Sequence, residues 1–133
     1  MPSSVSAVPA AASPQALRHF ERGFAFETDC YDVHQALREG ADFVLLDVRS
    51  PQCFARGHVP GALSLPHGKI IASRLAAFPP ATLFVVYCAG PHCNGAQRAA
   101  VRLARLGRPV KIMTGGMAGW LDEGVEVARD ASA

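Results

Sequence analysis

The run Cys88-Ala89-Gly90-Pro91-His92-Cys93-Asn94-Gly95 carries two thiols between an apolar stretch, Thr82 to Tyr87, and a segment with helical spacing, Ala96 to Leu106. A loop between a buried strand and a helix can curl its amides inward. Together with the helix N-terminus they form a cradle for an anion. A thiolate placed there is stabilised, and its pKa falls below that of a free cysteine. Gly90, Pro91, Asn94 and Gly95 suit so tight a turn. Cys88, at the strand end, is therefore the candidate nucleophile, ionised without a general base. The competing role is that of a small apolar core residue. Cys93 has two readings, a resolving thiol that forms a disulfide with Cys88 or a packing residue beneath the loop.

The other chemistry-bearing residues give weaker signals. Zinc would need a second pair of ligands near Cys88, His92 and Cys93, and the sequence offers none, so no metal is expected. His92 reads as a loop residue with a modest electrostatic role. His58, in Gly-His-Val-Pro-Gly, reads as a hydrogen-bonding residue of a turn, while His19, His34 and His67 give no signal. Cys30 and Cys53 fall on helical segments and are expected as buried structural thiols.

Strands and helices alternate along the chain. A short helix is expected over 14–22 and a strand over 24–27. Asp29 is a good N-cap for a helix that stops at Gly40. Phe43 to Asp47 reads as a strand buried on both faces. Ser50-Pro51 starts a helix ending at Gly57. Ala62 to Leu65 is a further short strand, and 69–78 has helical spacing closed by Pro79-Pro80. After the thiol loop come a helix with Arg98, Arg102 and Arg105 on its charged side, a strand over 110–113 and a helix over 117–123. The pattern predicts an α/β fold with a parallel sheet, whose active crevice lies beyond the carboxyl ends of the strands. Asp47, Cys88 and Thr114 share that rim.

With 133 residues, half of them hydrophobic, the chain has one domain's worth of core and does not depend on disulfides for it. The expected division is a disordered lead-in over 1–13, a single domain over 14–127 and a tail over 128–133. No apolar run is long enough to span a membrane. The first residues lack Lys and Arg, and Pro9 interrupts their apolar stretch, so a signal peptide is not expected and a cytoplasmic location is. The net charge of +2 conceals a polarity: nine basic residues and no acidic one lie between Val48 and Leu121. Such a segment favours small anionic substrates or acidic partner surfaces, the alternative being a merely solvated basic face; no nucleic-acid or membrane partner is expected.

Three motifs, in order, resemble the rhodanese-like (sulfurtransferase) family. They are LLDVRSPQCFARGHVPGALSLP over 45–66, FVVYCAGPHCNGAQRAA over 84–100, and GGMAGW over 115–120. The resemblance covers about residues 24–125. It implies a five-stranded parallel sheet flanked by helices on both faces, a persulfide intermediate on Cys88, and no cofactor. It also implies that Asp47 and Arg49 form a mainly structural pair near the rim. His58 and Gly61 match the turn that follows, and Gly115, Gly116 and Trp120 match the turn and helix behind the loop. Single-domain members often pair, so a homodimer stays open.

Two departures matter. Many members have an acidic residue four positions after the motif arginine; here it is Cys53, so Arg49 must find another partner or face the site. The loop is about two residues longer than usual and lacks the basic residue many sulfurtransferases carry there, and it resembles a subgroup with Cys-x4-Cys-Asn-Gly. The expected activity is transfer of sulfane sulfur from a small anionic donor, thiosulfate or a persulfide, through Cys88 to cyanide, a thiol or a protein acceptor. One alternative is a redox or sensor module cycling Cys88 and Cys93. Another is an oxyanion enzyme resembling arsenate reductases and phosphatases. Their arginine clamp would fall at Asn94, leaving Arg98 as the substitute.

Overall fold

Short apolar runs separated by helix caps fold into an alternating α/β chain. The computed structural model describes residues 1–130; of the tail expected at 128–133, residues 131–133 lie outside the described residues. In order the elements are α1 (Ser13–Gly23), β1 (Glu27–Asp29), α2 (Cys30–Glu39), β2 (Val44–Asp47), α3 (Pro51–Arg56), β3 (Leu63–Ser64), α4 (Ala72–Leu75), β4 (Phe84–Tyr87), α5 (Gly95–Arg105), β5 (Val110–Thr114) and α6 (Gly116–Asp122). A 3-10 turn over His67–Lys69 precedes α4. The five strands form one sheet in the order β1-β5-β4-β2-β3, and every pairing is parallel. The α/β fold with a five-stranded parallel sheet is thus as expected.

The side-chain alternation of a strand divides the core in two. From β4, Phe84 and Val86 point to one face and pack with Leu75 of α4 and Ala96, Ala99 and Leu103 of α5. Val85 and Tyr87 point to the other, against Cys30 and Val33 of α2 and Met117 and Trp120 of α6. Burial on both faces explains why β4 is a continuous apolar run. The predicted caps hold. Asp29 Oδ1 accepts from the Asp32 amide at 2.8 Å, and Ser50 Oγ from the Cys53 amide at 3.2 Å with Pro51 in the first turn.

Two local expectations are corrected. Phe24, Ala25 and Phe26 are not a strand. Their amides bond back to the carbonyls of Glu21, Arg22 and Gly23, and β1 begins only at Glu27. The helix expected over 69–78 is reduced to α4, because Ile70 and Ile71 are extended. Ile70 and Leu75 are both buried in the cluster beneath α5, and the extended link lets both reach it. Tertiary packing here overrides helical spacing. No helix among the described residues is long and apolar enough to cross a membrane.

Candidate functional site

Because the strands are parallel, Asp47, Cys88 and Thr114 stand at the same edge of the sheet. Cys88 follows β4, the central strand, and is buried; Cys93 is exposed. The chain turns back between them, with the Cys93 amide donating to Gly90 O at 3.1 Å. Their Cα atoms are 6.4 Å apart, and their sulfurs are joined in a disulfide. Cys93 is therefore not a packing residue beneath the loop. The Gly95 amide, at the start of α5, donates to Cys93 Sγ at 3.4 Å. The Asn94 side chain does not cap α5; its Oδ1 accepts instead from Arg98 Nε at 3.2 Å.

Two glycines make this loop sterically feasible. A Cβ on Gly95 would lie 2.7 Å from Cys88 Sγ and 3.4 Å from Cys93 Sγ. A Cβ on Gly116 would lie 2.5 Å from Cys88 O and 2.9 Å from Gly90 N, and its φ of +59° further disfavours a side chain. The close approach of Gly116 lets α6 hold the loop: the Met117 and Ala118 amides donate to Cys88 O and Ala89 O at 2.9 and 2.8 Å. The first turn of α6 is thus bonded to the loop backbone.

Cys88, Ala89, Cys93, Asn94 and Gly95 form one wall of an open cavity of about 630 Å³. Across it stand Arg49, Cys53, His67 and Lys69. Three of these correct or extend the sequence reading. Cys53 is half-buried and turned to the cavity rather than sealed in the core. Lys69 supplies, from the neighbouring 3-10 turn, the cation missing from the loop itself. His67 has its Nδ1 buried without a hydrogen-bond partner among the described residues. None could be linked to Cys88 by sequence spacing, since the link is the β2–β4 pairing. Gly90 and Pro91 face a smaller depression on the other side of the loop, which also reaches Cys88 and Cys93. His92 is exposed.

Arg49 finds its partner within its own motif. Its Nη2 and Nε bond the Asp47 carboxylate at 2.6 to 3.2 Å, and its amide bonds Asp47 Oδ1 at 3.0 Å. Nη2 also donates to Gly57 O at 2.6 Å. Asp47 is fully buried and accepts a further bond from the Tyr87 hydroxyl at 2.8 Å, which in turn accepts from the Val59 amide at 3.1 Å. Burial works against the Arg49 charge, but the bonds and charge of Asp47 outweigh it and raise the pKa. Burial, joined by the Asp47 charge, raises the Tyr87 pKa and keeps its proton in place to donate. This network ties β2, β4 and the α3–β3 turn together behind the loop. His58 completes the turn: its Nδ1 lies 2.7 Å from Phe54 O, its ring stacks on Phe54, and its backbone bridges to Ala128.

Arg98 lies on the outer side of α5 with Arg102 and Arg105, away from the cavity walls around Cys88, and is held by Asn94. It does not stand where an oxyanion clamp would. Cys30 is buried as expected, its thiol directed at Thr114 O and Gly116 O, both at 3.6 Å. Burial, then the charges of Glu123 and Asp29, push its pKa from 9.0 to about 11.

Comparison with known proteins agrees with this geometry. The chain is 39% identical over 95 residues to the HTH-type transcriptional regulator Rv0324 of Mycobacterium tuberculosis, covering 71% of this chain but only 41% of the regulator. It is 29% identical over 101 residues to a sulfurtransferase of Allochromatium vinosum, covering 76% of this chain and 92% of that protein. The BH2092 protein of Bacillus halodurans superposes with a TM-score of 0.86 at 33% identity, over 89% of this chain and 87% of that one. Residues 30–123 match the rhodanese-like domain family, and the chain belongs to it.

Proposed function

We propose that the chain is a sulfurtransferase that carries sulfane sulfur on Cys88. The observation that carries the reading is the position of Cys88, just past the carboxyl end of the central strand on a cavity that Lys69 also lines. Lys69, without a carboxylate in ion-pair distance among the described residues, favours an anionic donor such as thiosulfate or a persulfide, whereas the charge of Arg49 is balanced by Asp47. The Cys88 thiolate attacks the outer sulfur of thiosulfate, forms Cys88–S–S⁻ and expels sulfite. Cyanide, a thiol or a protein thiol then takes the outer sulfur and returns the thiolate. The sulfurtransferase relative supports this class of chemistry. A reducing compartment such as the cytoplasm suits it, because the nucleophile must be a free thiolate.

The test is intact mass after mixing reduced protein with thiosulfate or glutathione persulfide. At the earliest times after mixing the wild type carries one added sulfur that cyanide removes, and Cys88→Ser carries none. Equal gain in Cys88→Ser would move the nucleophile elsewhere. The disulfide favours a second reading, a dithiol module that responds to oxidants. A wild type that forms the disulfide under mild oxidant but takes sulfur from no donor would establish it.

A further inference from the structure

We propose that Cys93 is a resolving thiol, and that the loop reduces the sulfane sulfur it accepts to hydrosulfide. The inference rests on the Cys88 persulfide proposed above and goes beyond it, since ordinary transfer needs no second cysteine.

Four observations converge on Cys93. Its sulfur reaches Cys88 Sγ, not merely its neighbourhood, because the Gly90–Cys93 turn folds it back over the strand end. The space for the bond is kept by Gly95, since a Cβ there would lie 2.7 Å from the Cys88 sulfur and 3.4 Å from the Cys93 sulfur. The Gly95 amide donates to Cys93 Sγ at 3.4 Å and holds that sulfur over the start of α5. A buried acceptor and an exposed second thiol divide the work: Cys88 meets the donor at the cavity floor, and Cys93 remains open to a reductant.

The step balances without an external oxidant. The Cys93 thiolate attacks Sγ of the Cys88 hydropersulfide. The bond between Sγ and the outer sulfur breaks, and the outer sulfur leaves as hydrosulfide with its proton. The sulfane sulfur gains two electrons, and the thiol pair loses them as the Cys88–Cys93 disulfide forms. A dithiol reductant restores the pair. One of its thiolates attacks the accessible Cys93 Sγ, Cys88 leaves as thiolate, and the second thiol resolves the mixed disulfide. Attack at the exposed sulfur releases the cysteine that must next meet the donor.

The experiment is anaerobic, so that the sulfane sulfur is the sole oxidant. Reduced wild type and Cys93→Ser each receive one equivalent of glutathione persulfide. Hydrosulfide is measured over time, and each protein is alkylated and weighed. The wild type should release one hydrosulfide per chain and lose two hydrogens, while Cys93→Ser keeps the added sulfur at least about tenfold longer, since intramolecular attack has been removed. Equal persulfide lifetimes in the two proteins would overturn the role of Cys93 and leave sulfur transfer intact. A disulfide formed without hydrosulfide would overturn it too. Failure of both proteins to gain sulfur would remove the Cys88 reading on which the inference stands. Cys93 is exposed, so Cys93→Ala serves as a second variant with the same expected outcome.

Discussion

Gly95 separates chemistry from folding more sharply than the cysteines do. It opens α5 with an ordinary backbone, so alanine there gains up to about 1 kcal/mol of helix propensity. Yet the new Cβ would stand 2.7 Å from Cys88 Sγ. Gly95→Ala should therefore displace Cys88 Sγ and lose both the Cys88–Cys93 disulfide and sulfur loading, while the reduced protein stays folded. Unchanged loading, read by intact mass beside a melting curve, would show that the two sulfurs need no such space. The role of Gly95 was legible only in outline. Its type and place announce a tight loop, but sequence cannot tell that the missing side chain makes room for sulfur. The place of Cys88 in the fold was legible, because the end of an apolar run before a Gly-rich helix start is a local feature. Cys53 and Lys69 were not: each looks ordinary in its own segment and meets Cys88 only across the sheet. Helical burial was inferred for Cys53 from α3, but α3 is only six residues long and leaves that side of it open to the cavity.

The elements around the site are fastened by a few polar bonds whose loss should unfold more than it disables. Asp47 on β2, Tyr87 on β4 and Arg49 share one buried network. Asp47→Ala leaves the Arg49 charge largely buried without its partner and should cost about 3–5 kcal/mol. Tyr87→Phe removes one donor and strands the Val59 amide, at about 1–3 kcal/mol. The double variant should cost less than the sum, because the two losses share a partner. Urea unfolding of all three measures this, and an Asp47→Ala variant within about 0.5 kcal/mol of wild type would contradict it. The order of elements followed from local signals such as Asp29, Ser50-Pro51 and the continuous run of β4. Where it failed, a distant surface decided: α4 is short because Ile70 and Leu75 must both enter the core under α5. Phe24 and Phe26 have strand-like composition, but both are exposed, and nothing buries a strand there.

The charge distribution along the chain becomes a field once the fold is formed. Of the nine basic residues between Val48 and Leu121, Arg49 alone has a carboxylate within ion-pair distance among the described residues. Arg108 is bonded to the carbonyls of Leu75, Phe78 and Pro79 and keeps its full charge. The acidic flanks contribute instead to α1, the edge strand β1, α2 and the end of α6, of which α2 and α6 pack on the face of the sheet opposite α5. An anion approaching Cys88 through the larger cavity thus meets Lys69, which lines it without a carboxylate partner among the described residues. Thiosulfate carries two negative charges, so its loading should slow about three- to tenfold between low salt and about 0.5 M salt, where the screening length shrinks to a few ångströms. Lys69→Gln should lower kcat/KM for thiosulfate at low salt by less than about tenfold, and the difference from wild type should close as salt rises. If Lys69 instead made a direct, desolvated contact with the donor, the deficit would persist at high salt, because buried pairs are little screened. A salt-independent wild-type rate would mean that the basic segment is only a solvated face.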